Sequence, residues 1–122
     1  MGNPIISFDI IFNKEQIEYI ANTVAEQAKE VFGDMLRGVI LYGSYARGDY
    51  KEWSDVDMMI LADMDDLACK GFDNELTKRL FDLDYHMNLL LSTIVVPFSR
   101  FEYLKNEYPF YMNICNEGIR LC

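Results

Sequence analysis

Residues Gly38–Leu61, GVILYGSYARGDYKEWSDVDMMIL, decide how this chain reads. Leu36–Tyr42 is a short apolar run with little alternation, which predicts a strand covered on both faces. Gly43-Ser44 ends it. Tyr45–Trp53 is polar and carries Gly48-Asp49, which predicts a short helix that breaks into a loop. Val56–Leu61 is the next strand, and two carboxylates, Asp55 and Asp57, stand at its start.

The flanks complete an alternation of helices and strands. The run 5–12 is apolar and short, either an extended arm or the lead-in to a helix. Asn13 with Gln16 makes a capping box. From there Ile17, Ile20, Ala21, Val24, Ala28 and Val31 recur at helical spacing, with Gly33 placed for a left-handed exit. Asp63–Asp66 reads as a solvated acidic turn, and Asn74–Phe81 as helical. Tyr85–Val96 reads as the third strand, most β-like over Leu89–Val96 and stopped by Pro97. Ser99–Lys105 and the segment from Tyr108-Pro109 to Gly118 are two further helices. Without a repeat or a long linker, the order predicts a single α/β (α+β) domain over residues 1–122: a small mixed sheet flanked by helices.

Composition narrows the partners. Acidic residues outnumber basic ones 20 to 11, for a net charge of −9. That argues against an extended nucleic-acid surface, which needs a basic stripe. It leaves room for a basic protein partner or for a small anion bound through metal ions. Cys69, Cys115 and Cys122 are an odd count without zinc-ligand spacing, as expected of free thiols in a reducing compartment. No apolar run nears the ~18 residues of a membrane span. The opening residues carry no positive segment ahead of their apolar ones, so a cytoplasmic protein is expected.

Asp55 and Asp57 lie two apart at a strand start, so alternation puts both side chains on one face and Val56 on the other. Two carboxylates so close repel each other. A hard divalent cation, Mg²⁺ or Mn²⁺, relieves that repulsion. In isolation such a pair is more often a solvated surface than a metal site. Gly43-Ser44 upstream changes the balance. A glycine at a strand end lets backbone N–H groups approach a phosphate, and the serine adds a hydroxyl donor. A phosphate cradle beside a metal-binding acid pair is what phosphoryl or nucleotidyl transfer requires. The turn is not a P-loop, because no Gly-Lys-Ser/Thr follows, and it is not a dinucleotide fingerprint.

The pattern G-S-x10-D-x-D, carried by Gly43, Ser44, Asp55 and Asp57 with Ala46-Arg47-Gly48 between, resembles the minimal nucleotidyltransferases of the DNA polymerase beta superfamily. The resemblance implies Mg²⁺-dependent transfer of a nucleoside monophosphate, AMP from ATP first of all, to a hydroxyl. It assigns Gly43 and Ser44 to the triphosphate and Asp55 and Asp57 to catalysis and metal. It also implies a third carboxylate on the next central strand. In this chain Asn88 is the best-placed polar residue for that position, and Asp84, two strand positions earlier on the same face, is the substitute. Short members of the family are often paired with a HEPN-domain ribonuclease as the antitoxin of a toxin–antitoxin module. The partner implied here is therefore such a protein, or a second copy of the chain.

Arg47 either reaches the triphosphate or pairs with Asp49 or Glu52. Tyr45 either stacks on a base or packs, and the lone His86 and Lys51 read as ordinary structural or solvated residues. Two functions stay open: an active nucleotidyltransferase, favoured by the intact Gly43, Ser44, Asp55 and Asp57, and a nucleotide-binding module that acts by docking, favoured by the neutral Asn88.

Overall fold

A computed structural model describes residues 11–122. The expected arm or lead-in over 5–12 therefore lies outside the described residues, apart from Ile11 and Phe12. The first helix, α1 (Lys14–Phe32), starts at the capping box: Asn13 Oδ1 accepts from the Gln16 N–H and Gln16 Oε1 from the Asn13 N–H, both at 2.8 Å. Its apolar stripe is buried, with Ile20, Val24 and Ala28 fully covered. Burial of a side chain such as Ile20 or Val24 contributes about 1.5–3 kcal/mol, and the Ala28 methyl less than about 1 kcal/mol. Gly33 turns the chain out at φ 55° into one 3₁₀ turn (Gly33–Met35).

β1 (Leu36–Tyr42) and β2 (Val56–Ala62) are antiparallel, with Tyr42 opposite Asp57. Between them stand α2 (Ser44–Arg47), a single turn, and the loop to Ser54. β3 (Leu91–Pro97) runs parallel to β2, as its helical crossover demands, and a two-residue β4 (Ile119–Arg120) pairs antiparallel with β1. The sheet order is β3-β2-β1-β4. The remaining helices are α3 (Asp66–Arg79), α4 (Phe81–Met87), α5 (Phe98–Leu104) and α6 (Pro109–Glu117).

Alternation along the central strands sorts the core into two layers. Val39, Leu41, Val56, Met58 and Ile60 pack on the α1 and α3 side. Ile40, Met59 and Leu61 pack with Phe101 of α5 and Ile114 of α6 on the other. Asp57 belongs to the second face by its place in the alternation, so α6 is the element that closes over it.

Three expectations are corrected. The strand read from Tyr85 begins only at Leu91, because Phe81–Met87 is helical and Asn88 ends that helix in the left-handed conformation (φ 52°, ψ 46°). The acidic turn is not merely solvated. Asp65 caps α3 by accepting from the Ala68 N–H, so the helix starts at Asp66, eight residues before the expected Asn74. β4 is too short to carry a strand pattern and follows Gly118, where the sequence reads only a helix exit.

Asp84, on α4, is half-buried, and its Oδ1 has no hydrogen-bond partner among the described residues. Burial raises its pKa above the ordinary carboxylate value. The folded state therefore holds the proton more tightly than the unfolded chain. Its stability is greatest below the unfolded pKa and declines as pH rises through the folded one, leaving a cost at neutral pH. Asp84→Asn is expected to stabilise the fold at pH 7 by about 0.5–1 kcal/mol after allowance for solvent screening, or roughly 2–4 °C in Tm. The gain should vanish in a thermal melt taken below the carboxylate range. A gain that persists there would locate the effect elsewhere than in the charge.

Candidate active site

The site forms where β1 ends and β2 begins. Gly43 leaves the sheet at φ 77°, a conformation that L side chains rarely adopt, and an added Cβ would collide with the Asp57 carboxylate. The Gly-Ser turn and the acid pair are thus in direct contact, which the sequence indicates only by spacing. The Gly43 carbonyl accepts from the Ala46 and Arg47 N–H groups at 3.1 Å, which starts α2. The Ser44 carbonyl accepts from Gly48 N–H at 2.8 Å, and Gly48 closes the turn in the left-handed region. A helix start leaves its first N–H groups without intrahelical acceptors, so the turn offers donors beside Ser44.

The acids are set by a second small turn. The Lys51 N–H donates to Ser54 Oγ at 2.8 Å and the Ser54 N–H donates back to the Lys51 carbonyl at 3.0 Å. The next residue, Asp55, is exposed, while Asp57 is half-buried within β2. The Val56 N–H is tied to the Leu90 carbonyl at 2.8 Å, which anchors the acid pair to the start of β3.

Together these residues line a cleft of about 390 Å³: Tyr42, Gly43, Ser44, Arg47, Ser54, Asp55 and Asp57 on one side, Phe110, Asn113, Ile114 and Glu117 of α6 on the other. Burial raises the Asp57 carboxyl above its usual pKa, the Asp55 charge adds to the rise, and Arg47 opposes it. Tyr42 is pushed up to about 12 by burial and then by Asp57, so its hydroxyl keeps its proton at any physiological pH. A second hollow of about 390 Å³ is lined by Phe12, Ile17, Ala21, Leu41, Tyr45 and Tyr50 among others. It is mainly apolar and, with Glu18 as its one lining carboxylate, has no acid pair like that of the first cleft.

The described residues include no group of three or more His, Cys, Asp or Glu side chains placed to hold a metal ion. Asp55 and Asp57 nonetheless fit Mg²⁺, which is commonly bound by one or two carboxylates with substrate phosphates and water filling the remaining positions. The crowding of two acids, one of them reluctant to ionise, is the observation that a cation would relieve.

Of the expected site residues, Gly43, Ser44, Arg47, Asp55 and Asp57 meet in this cleft. Arg47 is held by Asp49 at 3.2 Å and approaches Glu117 at 3.8 Å. Asn88 and Asp84 do not line it: the first caps α4 and the second lies within that helix. The β3 residue opposite Asp57 is Ser92. Tyr45 is a packing residue, stacked on Tyr50 at 4.5 Å and accepting from the Phe12 N–H at 3.2 Å. Sequence reading missed the contribution of α6. Its signal was the spacing of Phe110, Asn113, Ile114 and Glu117, one face of a helix, but only the tertiary fold brings that face over the acids.

Such a fold, with a Gly-Ser turn packed on a strand-borne acid pair, defines a nucleotidyltransferase domain. The sequence profile of the nucleotidyltransferase domain matches residues 20–110, and the chain belongs to that family. A Methanocaldococcus jannaschii protein named "Putative protein adenylyltransferase MJ0604" is 32% identical over 93 residues, covering 74% of this chain and 82% of its own length. Another from the same organism, "Putative protein adenylyltransferase MJ1305", is 40% identical over 50 residues, 41% of this chain and 34% of its own length. The chain thus spans about a third of that relative. Among solved structures, a toxin–antitoxin with AMP-PNP shares the fold, with a TM-score of 0.50 at 17% identity over 84% of this chain and 72% of that one. No helix among the described residues is long and apolar enough to cross a membrane.

Proposed function

We propose that residues 1–122 form a single domain that moves AMP from ATP to a hydroxyl on a partner protein. The observation that carries this reading is the contact between Gly43 and the Asp57 carboxylate, which puts phosphate donors and metal ligands in one cleft. Ser44 and the start of α2 bind the triphosphate, and Arg47 adds a cation once it exchanges Asp49 or Glu117 for phosphate. Asp55 and Asp57 hold Mg²⁺, or Mn²⁺, which when bound neutralises charge on the phosphate oxygens and activates the attacking group. Asp55 and Asp57 would supply two of the ion's oxygen ligands, leaving the remaining positions to substrate phosphates and water.

The partner in this reading is the HEPN-type toxin of a toxin–antitoxin pair. Three things support it: the resemblance to short family members, the relatives' naming as protein adenylyltransferases, and the fold shared with a toxin–antitoxin structure. A second copy of the chain is the alternative partner. Incubation with α-labelled ATP, Mg²⁺ and the protein encoded next to this chain should label that protein, and chelation should abolish the label. Labelling that survives chelation would contradict the metal role.

One observation favours a second reading. Ser92 stands opposite Asp57, and neither Asp84 nor Asn88 lines the cleft. No described carboxylate lining the cleft comes from β3, so deprotonation of the acceptor has no assigned base on that strand. A catalytically weak module that binds nucleotide and acts by docking on its partner fits that absence. In the labelling assay it would bind ATP without transferring label.

A further inference from the structure

The two walls of the cleft differ in chemistry. The Gly43–Arg47 wall offers hydrogen-bond donors and a cation. The α6 wall offers no cation: its lining residues are Phe110, Asn113, Ile114 and Glu117. Glu117 repels phosphate, and Ile114 is buried in the core beneath. What remains at the lip is Phe110 and Asn113, three residues apart and so on one helix face.

Phe110 is 48% exposed, yet its ring is held edge-to-face by Tyr42 at 5.9 Å and 88° and by Tyr111 at 5.2 Å and 83°. Asn113 is exposed, and its amide makes no hydrogen bond to any described residue. A fixed, accessible aromatic ring next to an uncommitted amide suits a flat heterocycle with hydrogen-bonding edges. An asparagine amide donates and accepts on one edge, which matches the adjacent acceptor and amino donor of adenine and mismatches the paired acceptors of guanine. Phosphates drawn to the cationic wall leave the base for this one.

We propose that Phe110 and Asn113 form the base-reading wall of the cleft, Phe110 stacking on the nucleobase and Asn113 selecting adenine. This rests on the nucleotide reading above and adds to it the residues that set base preference. Both side chains are exposed, so their removal leaves the core intact.

The test is displacement of a fluorescent N-methylanthraniloyl ATP by ATP, GTP, CTP, UTP and inorganic tripolyphosphate, all with Mg²⁺. The parent should prefer ATP. Phe110→Ala should weaken all four nucleotides by roughly tenfold, since stacking tolerates any base, and leave tripolyphosphate unchanged. Phe110→Trp should restore binding. Asn113→Ala should cut the preference for ATP over GTP by about tenfold while hardly moving the other nucleotides. Equal binding of all four nucleotides by the parent overturns the selection by Asn113. If the parent binds ATP, Asp57→Ala does not, and both α6 variants match the parent, the base wall is wrong and the phosphate–metal site stands. If the parent binds neither nucleotide nor tripolyphosphate, both readings fall.

Discussion

Asp57→Ala is expected to reduce transfer of label from α-labelled ATP by about 10³-fold or more while leaving the fold intact. Removing one of two carboxylates forfeits several kcal/mol of charge stabilisation on the phosphate oxygens, and each 1.36 kcal/mol is tenfold in rate. The structure separates this from unfolding. Asp57 is half-buried next to Asp55, and burial and that like charge both disfavour its ionised form. Its removal therefore relieves repulsion in the unliganded protein, and the melting temperature should hold or rise. A variant that lost activity and stability together would indicate a structural role instead. Asp55→Ala should lose activity similarly, because the metal would be left with a single protein carboxylate.

Gly43→Ala is expected to damage both fold and binding. The residue sits at φ 77°, and a Cβ there would meet Asp57 itself. A positive φ combined with ψ −156° is essentially a glycine conformation and alone costs another residue about 1–3 kcal/mol. Relief of the clash requires Asp57 to move or the turn to reopen, and either change separates the phosphate donors from the acids. The melting temperature should fall by roughly 4–8 °C, and metal-dependent ATP binding should drop by about two orders of magnitude, the cost of roughly 2.7 kcal/mol. Gly48 provides the contrast. Its φ is also positive, but a Cβ there meets nothing within 4 Å. Gly48→Ala should therefore carry the backbone strain without disturbing Asp57, and binding should survive. Equal binding losses in the two variants would show that the contact with Asp57 does not matter.

The central strands and the first helix were legible in the sequence because local signals there agree with the tertiary outcome. The capping box at Asn13, the apolar stripe of α1 and the continuous apolar run of β1 each specify one structure. The acid pair and the Gly-Ser turn were legible for the same reason, being fixed by strand alternation and by a turn that needs glycine. The segment from Phe81 to Leu90 was not. Its residues mix aromatic, acidic and apolar types without clear periodicity, and Asn88 ends the helix in a left-handed conformation that asparagine tolerates but does not announce. That one boundary removed Asn88 from the expected strand and put Ser92 opposite Asp57. The α6 wall escaped for another reason. Its helix was expected, but which residues a helix turns toward a cleft depends on packing across the sheet, here through Ile114 onto Ile40 and Met59.

The most direct test of the central claim is a calorimetric titration of ATP into the parent and into the Asp55→Ala/Asp57→Ala double variant, each with Mg²⁺ and with chelator. Saturable binding is expected in the parent only when Mg²⁺ is present, with none detectable in the double variant. ATP binding that is indifferent to Mg²⁺, or equal in the two proteins, would contradict a nucleotide site built from the Gly43-Ser44 turn and the Asp55/Asp57 pair.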